Sequence, residues 1–323
     1  MDTLFFEKLH AEGLLDDPCL QKIKSAPQNN NFSLHWEIKT ILYVGVLLLT
    51  SGISLLVYKN IDSIGHLAIL LFIASICVCC FYYCFKNKLP FSLQKVASPN
   101  SFFDYILLLG TLSFLIFLGY LQFKYSVFGN RFGLATFIPM VVLFFIAYYA
   151  DQLSILSLAI TNLAAWVGMV ITPSKILYDN DFNSNHLIIS ALLLGGVLIA
   201  AGMIIKRWNI KAHFEFTYTN FGAHIFYIAC IAAMFNFKIP SVIWLVLMAG
   251  ISYLFYMKAL KEKSFYFLLI LTLYLYIGLS VVIIKLMLYS SLESITLALM
   301  YLISSAIGLV VLLFEMNKKI KSL

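Results

Sequence analysis

The sequence predicts an all-α polytopic membrane protein, a transmembrane helical bundle of about ten spans with its N-terminus and C-terminus cytoplasmic, on three observations. Of 323 residues, 62% are hydrophobic and 11% charged, against about 45–50% apolar and 25% charged in a soluble domain. Apolar stretches of the roughly 20 residues that a helix needs to cross a hydrocarbon core follow one another with short polar breaks. The Lys and Arg residues lie in those breaks and alternate in density from one break to the next.

Two regions are expected. Residues 1–36 form a cytoplasmic amphipathic helical preface and linker, and residues 37–323 form the transmembrane domain. In the preface, Leu4, Phe5 and Leu9 share one side of a short helix that ends at Gly13. Asp17 then caps a second short helix with Pro18 in its first turn, and Ser25 to Ser33 reads as linker. Five acidic residues lie in this segment, Asp2, Glu7, Glu12, Asp16 and Asp17, and no apolar run with a small-residue cleavage site is visible, so no cleavable signal peptide is expected.

The spans are predicted near 39–58, 64–85, 103–123, 132–150, 152–172, 187–206, 219–236, 240–258, 264–289 and 295–314. Phe132 to Thr172 is almost uninterrupted, but some 40 residues would make a single helix of about 60 Å, far beyond the bilayer, so a hairpin is placed at Asp151 and Gln152. With the N-terminus inside, sixteen of the 22 basic residues fall in inner segments and five in outer ones, and Lys285 lies within a span. That asymmetry favours an even number of spans and cytoplasmic ends.

The net charge of +7 marks orientation and carries no basic stripe with interleaved aromatics, so nucleic acid is not an expected partner. The lipid bilayer is, and residues 1–33 are the one segment large enough to receive a cytoplasmic protein partner. Any small-molecule ligand is unknown. The abundance of Lys, Ile, Asn, Phe and Tyr points weakly to an AT-rich bacterial genome, hence to a multi-pass protein of a bacterial inner membrane.

The N-terminal half resembles a large family of predicted bacterial membrane proteins known as a domain of unknown function. The residues that carry the resemblance are Glu12-Gly13-Leu14-Leu15, the first span from Gly45-Val46-Leu47 through Gly52-Ile53 to Asn60, the hairpin Ala147 to Leu153, and Ala164-Ala165-Trp166. It extends over residues 3–172 and implies a helical preface followed by a multi-span body, with no activity or catalytic residue to carry over.

Polar groups inside a bilayer are the candidate functional positions. Asn220, His224 and Tyr227 can share one face of the seventh span, and Asn162 lies deep in the fifth with Trp166 one turn on. Each is weighed against a structural role as interhelical hydrogen-bond glue. Lys285, Asp104, Lys124, Glu293 and Glu315 read as boundary residues, Lys285 being able to snorkel to the interface. Cys77, Cys80 and Cys84 share a face of the second span and suit small apolar packing better than a soft-metal site. The loop beginning Asp179-Asn180-Asp181 lacks the Gly and the bidentate Glu of a calcium loop. Ala191, Gly195 and Gly202 put small side chains on one side of the sixth span, as close helix packing requires.

No catalytic residue, metal ligand or cofactor is assigned, and the chain is expected not to be an enzyme. Hydrolysis inside a bilayer needs a nucleophile with a base, paired acids or a metal, and a pairing of His224 with Asp151 would be the arrangement to reverse that expectation. The functional expectation is a membrane scaffold or sensor. The alternative is a small-molecule or lipid transporter with a five-plus-five span arrangement, in which Ala259-Leu260 resembles the drug/metabolite exporters.

Overall fold

The computed structural model describes residues 16, 34–59, 65–100, 102–129, 131–171, 184–290 and 294–322. The preface helices expected within residues 1–33 and the loop at 179–183 lie outside the described residues. Ten helices among those described are long and apolar enough to cross a membrane, and no strand accompanies them.

The chain divides into two units, residues 1–56 and 57–323. The first holds most of α1, Leu34–Lys59. Its hydroxyls close on their own helix: Thr50 donates to the carbonyls of Val46 and Leu47, and Ser54 to that of Thr50. Such bonds to the preceding turn let Ser and Thr reside in an apolar span without an unsatisfied hydroxyl.

The second unit contains α2 (His66–Asn87), α3 (Phe103–Tyr125), α4 (Phe132–Ala150), α5 (Leu153–Ile171), α6 (Asn185–Trp208), α7 (Glu215–Asn236), α8 (Ser241–Glu262), α9 (Phe265–Ser290) and α10 (Ser294–Ser322). A short 3₁₀ turn, Ala212–Phe214, leads into α7. Neighbours in sequence pack as hairpins, α2 on α3, α4 on α5, α6 on α7 and α8 on α9, with α10 against α9. The ends of α2, α4, α6 and α8 lie at one end of the unit, where Asp151 after α4 is bonded by Val96 and His213 and where Lys206 of α6 pairs with Glu262 of α8.

Helix α7 is the centre. It packs on α5, α6, α8 and α9, and 56% of its membrane window is buried, against none for α10. One side of the core joins Tyr227, Met234, Met248, Phe255 and Leu268 of α7–α9. The other joins Leu107, Leu143, Leu156, Ile160 and Leu198 with Phe214. Leu71, Val197, Ile228, Val246 and Ile303 point outward and are well exposed, as expected where lipid replaces water.

Close approach of α6 and α7 depends on glycine. A Cβ at Gly195 would lie 2.8 Å from the backbone nitrogen of Phe226, and one at Gly222 would lie 2.9 Å from the carbonyl oxygen of Gly195. At Gly202 it would meet Thr219 Oγ1 at 2.6 Å. In the same way Gly110 of α3 leaves room for Cys80, and Cys77, Cys80 and Cys84 are all buried, which gives the cysteine face of α2 its packing role.

The span boundaries agree with the expected ones to within a few residues, except where charged residues continue a helix. α7 begins at Glu215 instead of 219, and α8 extends to Glu262 and α10 to Ser322. Charged residues argue against a span, yet paired at its end they lengthen the helix; Glu215 and Glu262 are both paired.

Candidate functional site

Three of the four candidate polar residues face α8 and α9. Asn220 Oδ1 accepts from the Tyr266 hydroxyl at 2.7 Å, and His224 Nδ1 lies 2.8 Å from the Tyr274 hydroxyl, both on α9. Tyr227 is fully buried, shares a hydrogen bond of 2.7 Å with Ser252 of α8, and stacks on Tyr274 with ring centroids 4.8 Å apart. The seventh span therefore turns one polar face toward α8 and α9, as its spacing implies, and each residue already has a protein partner. Asn162 donates to the Leu158 carbonyl of its own helix at 3.2 Å. That bond satisfies an amide hydrogen without reaching another helix.

The densest charged site lies at the end of the unit where α4 and α6 finish. Helix α4 ends on Asp151 in the left-handed conformation (φ 59°), and the Gln152 N–H donates back to the Ala147 carbonyl at 3.0 Å. Helices α6 and α8 end likewise, with Asn209 and Lys263 at positive φ and with Ile210 and Ser264 donating to carbonyls five residues back. This is the Schellman closure, made here without glycine.

The Asp151 carboxylate, 2% exposed, gathers two hydrogen-bond donors and an ammonium ion. His213 Nε2 lies 2.7 Å from Oδ1 and Lys211 Nζ 3.2 Å from the same oxygen, while the Val96 N–H donates to Oδ2. Lys211 is 1% exposed, and its ammonium is held by charge without hydrogen-bond geometry to any described residue, 5.3 Å from the Phe91 ring. A second left-handed residue here, Lys211 itself (φ 50°), turns the chain so that its N–H donates to the Leu93 carbonyl at 2.7 Å. Beside it Gln152 donates to Asp104 and lies 3.3 Å from Ser98 Oγ. Asp151 and Gln152 thus tie the α2–α3 connection, the α4–α5 turn and the α6–α7 turn into one assembly.

A second cluster continues along this end. Lys258 pairs with Glu215, Lys206 pairs with Glu262 and lies 4.0 Å from Glu215, and the Thr219 hydroxyl donates to Glu215 at 3.1 Å. Lys258 also lies 4.2 Å from the Phe267 ring centroid. The two clusters connect the ends of α4, α6 and α8 through charges that are largely neutralised in place, an arrangement that fixes geometry more than it offers a reactive group.

Sequence reasoning treated Lys211, Lys206 and Lys258 as orientation markers and did not single out His213. Nothing in their spacing shows that the chain reverses twice around residues 209–211 and turns them inward. His224 is bonded to Tyr274, and the histidine beside Asp151 is His213. Lys285, expected to snorkel, instead donates to the Met234 carbonyl and to Ser241 Oγ, and closes the α7–α8 turn at the opposite end.

No curated protein and no solved structure matches the chain. Over residues 7–156 the chain matches the family model described as predicted membrane protein (DUF2157), a domain of unknown function, in agreement with the resemblance carried by residues 12–15, 45–60 and 147–153, while Ala164 to Trp166 lie beyond the match.

Proposed function

We propose that this multi-pass membrane protein is a non-catalytic scaffold or sensor of a bacterial inner membrane, with the Asp151 end of its second unit in the cytoplasm. The observation that carries the reading is the convergence of Lys211, His213 and Val96 on one buried carboxylate, which makes that end a fixed platform. The bias of Lys and Arg supports a cytoplasmic side for that end and, separately, for the N-terminal segment. Residues 1–33 supply the segment that a cytoplasmic protein partner would engage.

Photocrosslinking from positions within residues 1–33, in intact cells, tests this. A scaffold or sensor gives a discrete adduct, and loses its cellular effect on deletion of 1–33 while the spans still insert. An effect that survives the deletion contradicts the reading.

One observation favours the transporter as a second reading: the polar face of α7 at Asn220, His224 and Tyr227 runs between helices within the unit. A carrier would respond to His224→Ala or Asn162→Ala with loss of a saturable ligand-induced rise in melting temperature. A scaffold would be indifferent to both.

A further inference from the structure

Lys88 follows directly on the end of α2, and its ammonium lies 3.6 Å from the centroid of the Tyr149 ring. That ring is stacked on Phe145 at 5.4 Å and faces Phe85 at 6.0 Å. Phe85 and Phe145 are 50% and 60% exposed, so the aromatic panel looks outward where α2 and α4 end. A cation beside exposed aromatics at the ends of spans marks the membrane–water boundary.

Lys88 also stands where two clefts adjoin. One is apolar and runs between α2, α3 and α4 past Phe81, Leu107 and Ile146. The other lies under the α2–α3 connection beside Val96, Pro99 and Asp151. The apolar cleft holds about 20 Å³, the room of a single water, so an acyl chain would lie along its mouth over Phe85 and not enter whole.

The charges of the segment that follows α2 are of one sign. Lys86, Lys88 and Lys95 fall within ten residues, and no acidic residue occurs from 86 to 103. The adjacent acids are engaged, Asp151 by Lys211 and His213, and Asp104 by Gln152.

We propose that this patch is a binding site for an anionic phospholipid, its phosphate held by Lys88 and its acyl chain laid against Phe85 and Phe145. Clustered basic residues at the end of a span attract anionic headgroups, and the aromatic panel supplies the apolar half that a soluble acidic partner would leave unused.

The test is the melting temperature of the purified full-length protein, titrated with phosphatidylglycerol or with phosphatidylcholine of the same acyl chains. Phosphatidylglycerol stabilises saturably and phosphatidylcholine does not. Lys88→Gln weakens the apparent affinity about fivefold, the equivalent of roughly 1 kcal/mol for one interfacial cation. Lys88→Arg retains it, as does Lys124→Ala at the far end of α3. Equal responses to the two lipids, equal losses at Lys88 and Lys124, or saturable binding of polyglutamate without a preference for phosphatidylglycerol would overturn the proposal. If Lys88→Gln lowers the melting temperature without lipid, the comparison of Lys88→Arg with wild type, each titrated with both lipids, still decides it: loss of the preference in the Arg variant contradicts a charge-based site.

Discussion

Asp151 Oδ1 and His213 Nε2 lie 2.7 Å apart across 62 residues of sequence, and Lys211 Nζ approaches the same oxygen at 3.2 Å. One carboxylate at the end of α4 therefore holds the turn between α6 and α7, and through Val96 the connection between α2 and α3.

Removing that charge leaves a buried ammonium without its counter-ion. Asp151→Asn tolerates the left-handed backbone and isolates the electrostatic effect, and it should destabilise the protein by about 3–5 kcal/mol. Adding Lys211→Met removes the orphaned charge and should recover most of the loss. Thermal or denaturant unfolding in detergent reads both, and an additive double mutant would argue against direct coupling.

The contact of α6 and α7 makes a paired glycine prediction. Gly195→Ala places a methyl group 2.8 Å from the Phe226 backbone and should cost about 1–3 kcal/mol. At the next residue, Gly196, a Cβ meets nothing within 4 Å, and Gly196→Ala should be close to neutral in the same unfolding assay.

Hydrogen bonds between membrane helices are worth about 0.6 kcal/mol on average. His224→Leu should lose an amount of that size with its bond to Tyr274, whereas Asn162→Leu, which gives up only a bond to its own helix, should lose less. A larger effect at Asn162 would point to a partner beyond Leu158.

Lys285→Met removes the donor to the Met234 carbonyl and Ser241 and should lower stability by about 1 kcal/mol. A side chain that merely snorkelled to the interface would be replaced without effect.

Much of the bundle was legible in the sequence because its signal is one of composition and length. Ten apolar stretches gave ten helices, and the break at Asp151 and Gln152 separated α4 from α5. The polar face of α7 was legible too, since residues 220, 224 and 227 recur at helical spacing. What stayed hidden needed the third dimension. Lys211 looks like one more basic residue in a polar break, and only the reversals at Asn209 and Lys211 carry it beneath the α2–α3 connection. The start of α7 at Glu215 was hidden as well, because the partner that neutralises it, Lys258, lies 43 residues on. Asn162 was readable as deep and polar, but its choice of the Leu158 carbonyl over another helix was not.

Hydrogen exchange at residues 93–97 and 209–213 of the purified protein tests most directly whether Asp151 locks this end into a platform. The Val96 amide bonds Asp151 and the Lys211 amide bonds Leu93, so these two amides should exchange slowly in the wild type. In Asp151→Asn they should exchange fast together while the spans remain protected. Rapid exchange of the Val96 amide in the wild type, or slow exchange unchanged by Asp151→Asn, would contradict it.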